Sequence, residues 1–136
     1  MADTLSEQAG SRSSKGNSLR PPTIGWLRTE GAAILIVAVI NYASLGAGWV
    51  LFGVLFFSPD LLILGYLAGP RMGAFLYNLA HTYSAPAILV GVAIATDASI
   101  LLALATIWVA HIAFDRALGF GLKLPTGFKH TDLGSI

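Results

Sequence analysis

Residues 100–118 read ILLALATIWVAHIAFDRAL, an apolar run of near-bilayer length with a histidine, an aspartate and an arginine toward one end. A spanning helix needs about 20 mainly apolar residues, with roughly 17–25 allowed. With its flanks, Ala98 to Phe120, this stretch meets that length. Three further segments do so. They are Trp26 to Leu45, containing GAAILIVAVI; Trp49 to Gly69, running VLFGVLFF then SPDLLILGYLAG; and Gly73 to Ala95, running AFLYNLAHTY then APAILVGVAIA. The connectors Gly46-Ala47-Gly48, Pro70-Arg71 and Thr96-Asp97 are short, which makes consecutive helices antiparallel neighbours. The expected fold is an all-α membrane protein, a four-transmembrane-helix antiparallel bundle.

Composition agrees. Of the 136 residues, 55% are hydrophobic and 11% charged, against roughly 25% charged in an average soluble domain. A soluble chain this short keeps much of its surface exposed and cannot hide so much apolar area. Net charge is +1, so electrostatics points to no nucleic-acid partner. The absence of cysteine excludes disulfides, thiolate catalysis and cysteine-based metal sites.

Residues 1–23 are polar, lack an apolar signal-peptide core and are expected to form a disordered tail. Residues 24–122 form the four-helix domain. Residues 123–136, rich in glycine and lysine, are expected to be a cytoplasmic tail or a lid over the bundle mouth.

Charge fixes the expected orientation. Arg12, Lys15, Arg20, Arg28, Arg71, Arg116, Lys123 and Lys129 are the basic residues, and four spans place all of them on one side. The positive-inside rule makes that side the cytoplasm, with both termini inside. Trp26, Trp49 and Tyr42 fall near span ends, as interfacial aromatics do. Gly65 and Gly69 form a small-xxx-small pair suited to close helix contact. Pro59 and Pro86 lie inside spans two and three and are expected to kink them.

Polar residues inside the spans carry the chemistry. A charged side chain at mid-helix costs roughly 2.5–3.5 kcal/mol, so such groups face the bundle interior and find partners. At 1.5 Å per residue, Asp60 and His81 lie about 12 Å from the cytoplasmic end and His111 about 10–14 Å, with Asp115 one turn nearer that end. Three helices thus present ionisable groups at one level. His111 and Asp115 are four apart and share a face. Two imidazoles and two carboxylates form a donor set for one divalent metal, zinc or manganese. Such an ion can lower the pKa of a water and use it for hydrolysis. Tyr77, Asn78 and Arg116 would orient the ligands or the substrate. Two other readings stay open: helix–helix glue through His–Asp hydrogen bonds, and a proton or ion path. Arg71 and Lys123 are candidates for anionic lipid headgroups, or for ordinary topology-setting charge. Glu30 is placed to pair with Arg28 or Arg71, and His130 is expected to be solvated.

Two resemblances follow. The motifs Pro59-Asp60, Gly65-Tyr66, Gly69-Pro70-Arg71, Tyr77-Asn78-Leu79-Ala80-His81 and His111-x-x-x-Asp115-Arg116, over about Trp26 to Gly134, resemble the small bacterial integral-membrane family catalogued as domain of unknown function 4260. That resemblance implies a four-helix protein of the bacterial cytoplasmic (inner) membrane and no particular activity. The order Pro59-Asp60, His81, His111-x-x-x-Asp115 is also similar to membrane-bound metal-dependent hydrolases. Those carry a second aspartate where Leu62 stands and a fuller histidine motif near His81, so a two-metal site is not implied here. The leading expectation is a cytoplasm-facing site that binds a metal and hydrolyses a lipid-like substrate. The contrasting one is a non-enzymatic membrane protein, in a homo-oligomer or a larger membrane complex. Membrane lipids are the expected surroundings under both.

Overall fold

A computed structural model describes residues 23–135; the expected polar tail lies outside them, apart from Thr23. Helix α1 covers Thr23–Leu45 and α2 covers Trp49–Phe56. A 3-10 helix over Ser58–Ala68 continues α2, and α3 (Pro70–Ala80) is followed by α4 (Ser84–Ala95) and α5 (Ser99–Leu118). Strands β1 (His130–Thr131) and β2 (Gly134–Ser135) close a small antiparallel ribbon in which Thr131 pairs with Gly134. The four helical segments Thr23–Leu45, Trp49–Ala68, Pro70–Ala95 and Ser99–Leu118 are each long and apolar enough to cross a membrane.

Helix α5 is the hub, and it packs against α1, α2 and α4. Its inward face carries Ala103, Ala105, Ala110 and Ala113, all fully buried. Such small side chains let neighbouring backbones approach, which is how helices associate when lipid removes the hydrophobic drive between them. Helix α1 uses the same device. A Cβ added at Gly31 would stand 2.7 Å from the Ala117 nitrogen and 2.9 Å from the Ala113 oxygen. Backbone atoms cannot move aside, so Gly31→Ala is expected to lower stability by about 1–3 kcal/mol, the usual cost of overpacking. Gly91→Ala, at a helical glycine with open space beside it, is the control. Thermal midpoints in detergent compare them.

Most large apolar side chains point outward. Ile36, Val37, Ile40, Val50, Val54 and Leu67 are all exposed, which suits hydrocarbon far better than water. At the end away from the basic residues, Tyr42 packs between Trp49 and Phe52 at 5.5 and 5.0 Å. Its hydroxyl donates to the Gly48 carbonyl at 2.7 Å and ties down the first connector. Tyr42 is 1% exposed, so it is a core residue rather than an interfacial one; Trp26 and Trp49 are exposed.

Both proline-bearing spans are interrupted, and both interruptions serve the polar residues. Pro59 lacks a backbone N–H, so the α-helical ladder stops after Phe57. The chain continues with bonds such as Asp60 N to Phe57 O at 3.2 Å, over a 3-10 run longer than the usual 3–4 residues. Three residues per turn stack Asp60, Ile63 and Tyr66 on one face. In the third span the helix breaks at residues 81–83, and Pro86 sits in the first turn of the new helix, where proline is tolerated. Of the two paired glycines, Gly65 packs against Leu76 and Gly73, whereas a Cβ at Gly69 would meet open space and Gly69 takes the positive-φ turn conformation.

These interruptions revise the depths without separating the residues. A 3-10 rise of about 2.0 Å places Asp60 about 16 Å from Ala68. Helix α3 starts at Pro70, so at 1.5 Å per residue His81 lies about 16 Å along it. Asp60 and His81 move together and remain level.

Candidate metal centre

Four side chains from three spans meet at one point. The ligand atoms of Asp60, His81, His111 and Asp115 lie within 4.8 Å of one another. His81 Nε2 is 3.4 Å from Asp60 Oδ1 and 3.3 Å from Asp115 Oδ2. His111 Nε2 is 3.4 Å and 3.7 Å from the same two oxygens. The two Nε2 atoms are 3.1 Å apart.

Those distances have a specific meaning. A charge-assisted N–H···O bond to carboxylate runs about 2.7–2.9 Å, and all four His–Asp separations are longer. They are instead close to the edge of a tetrahedron. Ligands about 2.0–2.1 Å from a central zinc stand about 3.3–3.4 Å from each other. The four His–Asp separations are those of atoms grouped around a common point, and the two carboxylate oxygens lie within 4.8 Å of each other.

Local structure explains why each ring faces that point. Helix α3 ends at Ala80, so the carbonyls of its last turn lack helical partners. The Tyr77 carbonyl accepts from the His81 backbone N–H at 2.9 Å and meets His81 Nδ1 at 2.8 Å. A carbonyl can only accept, so Nδ1 carries the proton and Nε2 is left with a lone pair, the tautomer a metal requires. The Tyr77 ring stacks on His81 at 3.7 Å and 9°, and its hydroxyl lies 3.4 Å from Asp115 Oδ2. Trp108 donates to the Ala80 carbonyl at 2.6 Å and fixes α3 against α5. Phe56 packs edge-on to His111 at 5.4 Å. Nδ1 of His111 is buried without a hydrogen-bond partner among the described residues.

One side of the centre is open. The histidine side chains are 3% and 1% exposed, Asp115 14% and Asp60 40%. Both carboxylates line a cleft of about 450 Å³ whose walls include Ile63, Phe114, Leu118 and Phe128. The C-terminal segment forms part of that wall. Gly119 ends α5 in the left-handed conformation at φ 93°, a glycine cap that reverses the chain. Asn78 then clamps it: its Nδ2 donates to the Lys123 carbonyl at 2.8 Å, and its Oδ1 accepts from the Lys123 N–H at 2.7 Å. Tyr66 meets Phe128 edge-on at 5.4 Å.

The remaining candidates divide. Tyr77 stands against the candidate ligands, and the Asn78 side chain holds the C-terminal segment while its carbonyl accepts from the His81 N–H at 3.2 Å. Arg116 lines a different cavity with Glu30, Tyr83 and Asp132. Arg71 is exposed in the first turn of α3. Lys123, expected at the headgroup surface, is 5% exposed and lines the cleft. Burial pushes its pKa below the usual lysine value, partly offset by the Asp115 charge. No local pattern marked Lys123 as buried; the glycine-rich stretch that turns it inward is the only hint. Arg28 donates to the Ala117 carbonyl at 2.9 Å at the end of α5, a favourable place for a cation. His130 lies 2.9 Å from the Thr126 hydroxyl and is exposed.

The four candidate ligands all fall inside the stretch matched by a family profile. No curated protein and no solved structure matches the chain. The profile of a family described as a domain of unknown function, DUF4260, matches residues 25–136, and the chain belongs to that family.

Proposed function

We propose that this protein resides in a membrane, binds one divalent metal through Asp60, His81, His111 and Asp115, and uses it to hydrolyse an amphipathic substrate held in the adjoining cleft. The observation that carries the reading is the spacing of the ligand atoms, 3.1–3.7 Å over five pairs. Helix glue would draw histidine and carboxylate to direct hydrogen-bond distance.

The open side supports a reactive rather than a purely structural ion. Structural zinc sites are closed, and catalytic ones keep a position for water or substrate. Asp60, 40% exposed on the cleft, is the ligand whose place an incoming group can share. A divalent ion there supplies Lewis acidity and makes water a better nucleophile. In the hydrolysis, the water oxygen bonds to the acyl carbon or phosphorus, the bond to the alcohol oxygen breaks, and the proton lost by the water ends on that oxygen. The one-sided distribution of basic residues supports a cytoplasmic opening of the cleft, with both termini on that side.

Elemental analysis of purified protein tests the metal. Wild type is expected to carry about one equivalent of zinc or manganese, and His81→Ala and His111→Ala less than about a tenth, because second-sphere losses alone cost 10–100-fold and a lost ligand costs more. Equal metal content in all three proteins would remove the reading.

A further inference from the structure

The metal reading leaves one buried cation unexplained. Lys123 is 95% buried by its 5% exposure, and it lines the cleft beside Asp60 and Asp115. Its Nζ lies 4.3 Å from the Phe128 ring centroid and 5.3 Å from that of Tyr77. Among the described residues that ammonium has no hydrogen bond and no ion pair, so its three donors are left to face the cleft. Cation–π contact with two rings offsets only part of the desolvation. The position is enforced rather than accidental. The Asn78 clamp and the Lys123–Thr131 bridge fix the backbone on both sides. A second lysine, Lys129, stands exposed on the same cleft.

Charge accounting gives the ligand's sign. A divalent ion cancels the two carboxylates, and Lys123 with Lys129 then leaves the cleft at about +2. A phosphate monoester carries about −1.5 to −2 near neutral pH, and its oxygens can meet a metal and an ammonium together. The rest of the cleft is apolar, with Ile63, Phe114, Leu118 and Phe128 along it. Its volume of about 450 Å³ falls in the usual range for small-molecule sites. We propose that the cleft is a subsite for a phosphate-bearing amphiphile, with the phosphate bridging the metal and Lys123 Nζ and the hydrocarbon lying along the aromatic wall. This rests on the metal reading, since without the ion the two carboxylates would cancel the lysines.

Binding of dihexanoyl phosphatidic acid to zinc-loaded protein in neutral detergent tests it, with zinc content measured on the same samples. Wild type is expected to bind the phosphatidic acid at least 10-fold more tightly than dihexanoyl glycerol and than inorganic phosphate. Lys123→Met, which keeps the apolar stem, is expected to weaken binding at least 10-fold with zinc content unchanged, and Lys123→Arg to restore most of it. Equal binding by Lys123→Met with zinc retained would overturn the subsite while leaving the metal centre standing. So would equal binding of the uncharged glycerol. Inorganic phosphate binding as tightly as the lipid would overturn the amphiphile and point to free phosphate. A wild-type protein that takes up no zinc would instead overturn the metal reading beneath it. Should Lys123→Met fail to fold, Lys129→Met serves, with an expected weakening of about 3-fold; no change there, or no binding by zinc-loaded wild type, would overturn the proposal.

Discussion

Stripping the divalent metal with a chelator is expected to lower the thermal midpoint of the detergent-solubilised protein by on the order of 10 °C or more. The reason is linkage. A ligand that binds only the folded state, present at about 1,000 times its dissociation constant, stabilises that state by about 4 kcal/mol. Each kcal/mol moves the midpoint by roughly 2–8 °C for domains spanning this size. The apo site adds its own penalty. The two buried Nε2 atoms stand 3.1 Å apart and each lies 3.3–3.7 Å from both carboxylates, and these groups repel unless a cation or protons intervene. Adding zinc back should restore the midpoint. His111→Ala is expected to melt at one temperature with or without chelator, since it has no site to empty. If the cluster is helix glue, chelation leaves the wild-type midpoint where it was.

A second large effect concerns which metal is chosen. Zinc is expected to be bound at least about 10³-fold more tightly than magnesium. Imidazole nitrogen suits zinc, while magnesium wants oxygen donors and water. Octahedral magnesium, with ligands at 2.0–2.1 Å, would also set adjacent ligand atoms about 2.8–3.0 Å apart, whereas the four His–Asp separations are 3.3–3.7 Å. Zinc should also displace manganese, following the usual order of divalent affinities. Competition titrations with a chromophoric zinc chelator check both. Magnesium binding on a par with zinc would mean that the two histidines are not in the shell.

What the chain reveals before folding, and what it hides, follow from the range of each interaction. Four spans are legible because hydrocarbon thickness fixes their length, and the observed limits lie within a few residues of those read from Trp26, Trp49, Gly73 and Ala98. His111 and Asp115 are legible as a pair because one α-helix carries both. The convergence of Asp60 with them required depth counting, which worked although the rise was not 1.5 Å throughout. The 3-10 run after Pro59 and the break after Ala80 were not legible. A proline says that a hydrogen bond is lost, not which helix type resumes. The break matters most, because it leaves His81 at the helix end, where the Tyr77 carbonyl meets both its backbone N–H and its Nδ1. Lys123 and Arg116 show the other limit. Both are basic residues past mid-span, yet the cap at Gly119 turns Lys123 into the cleft and leaves Arg116 facing Glu30 and Asp132. Only the packed chain decides such directions.

The proposed metal would be held by two imidazoles and two carboxylates, those of His81, His111, Asp60 and Asp115. X-ray absorption at the zinc edge of the zinc-loaded protein measures that shell directly. The predicted spectrum has four nitrogen or oxygen neighbours at about 2.0–2.1 Å, with the outer-shell scattering of two imidazole rings, one of which disappears in His81→Ala. A shell of oxygen alone, or a spectrum unchanged by His81→Ala, would contradict it.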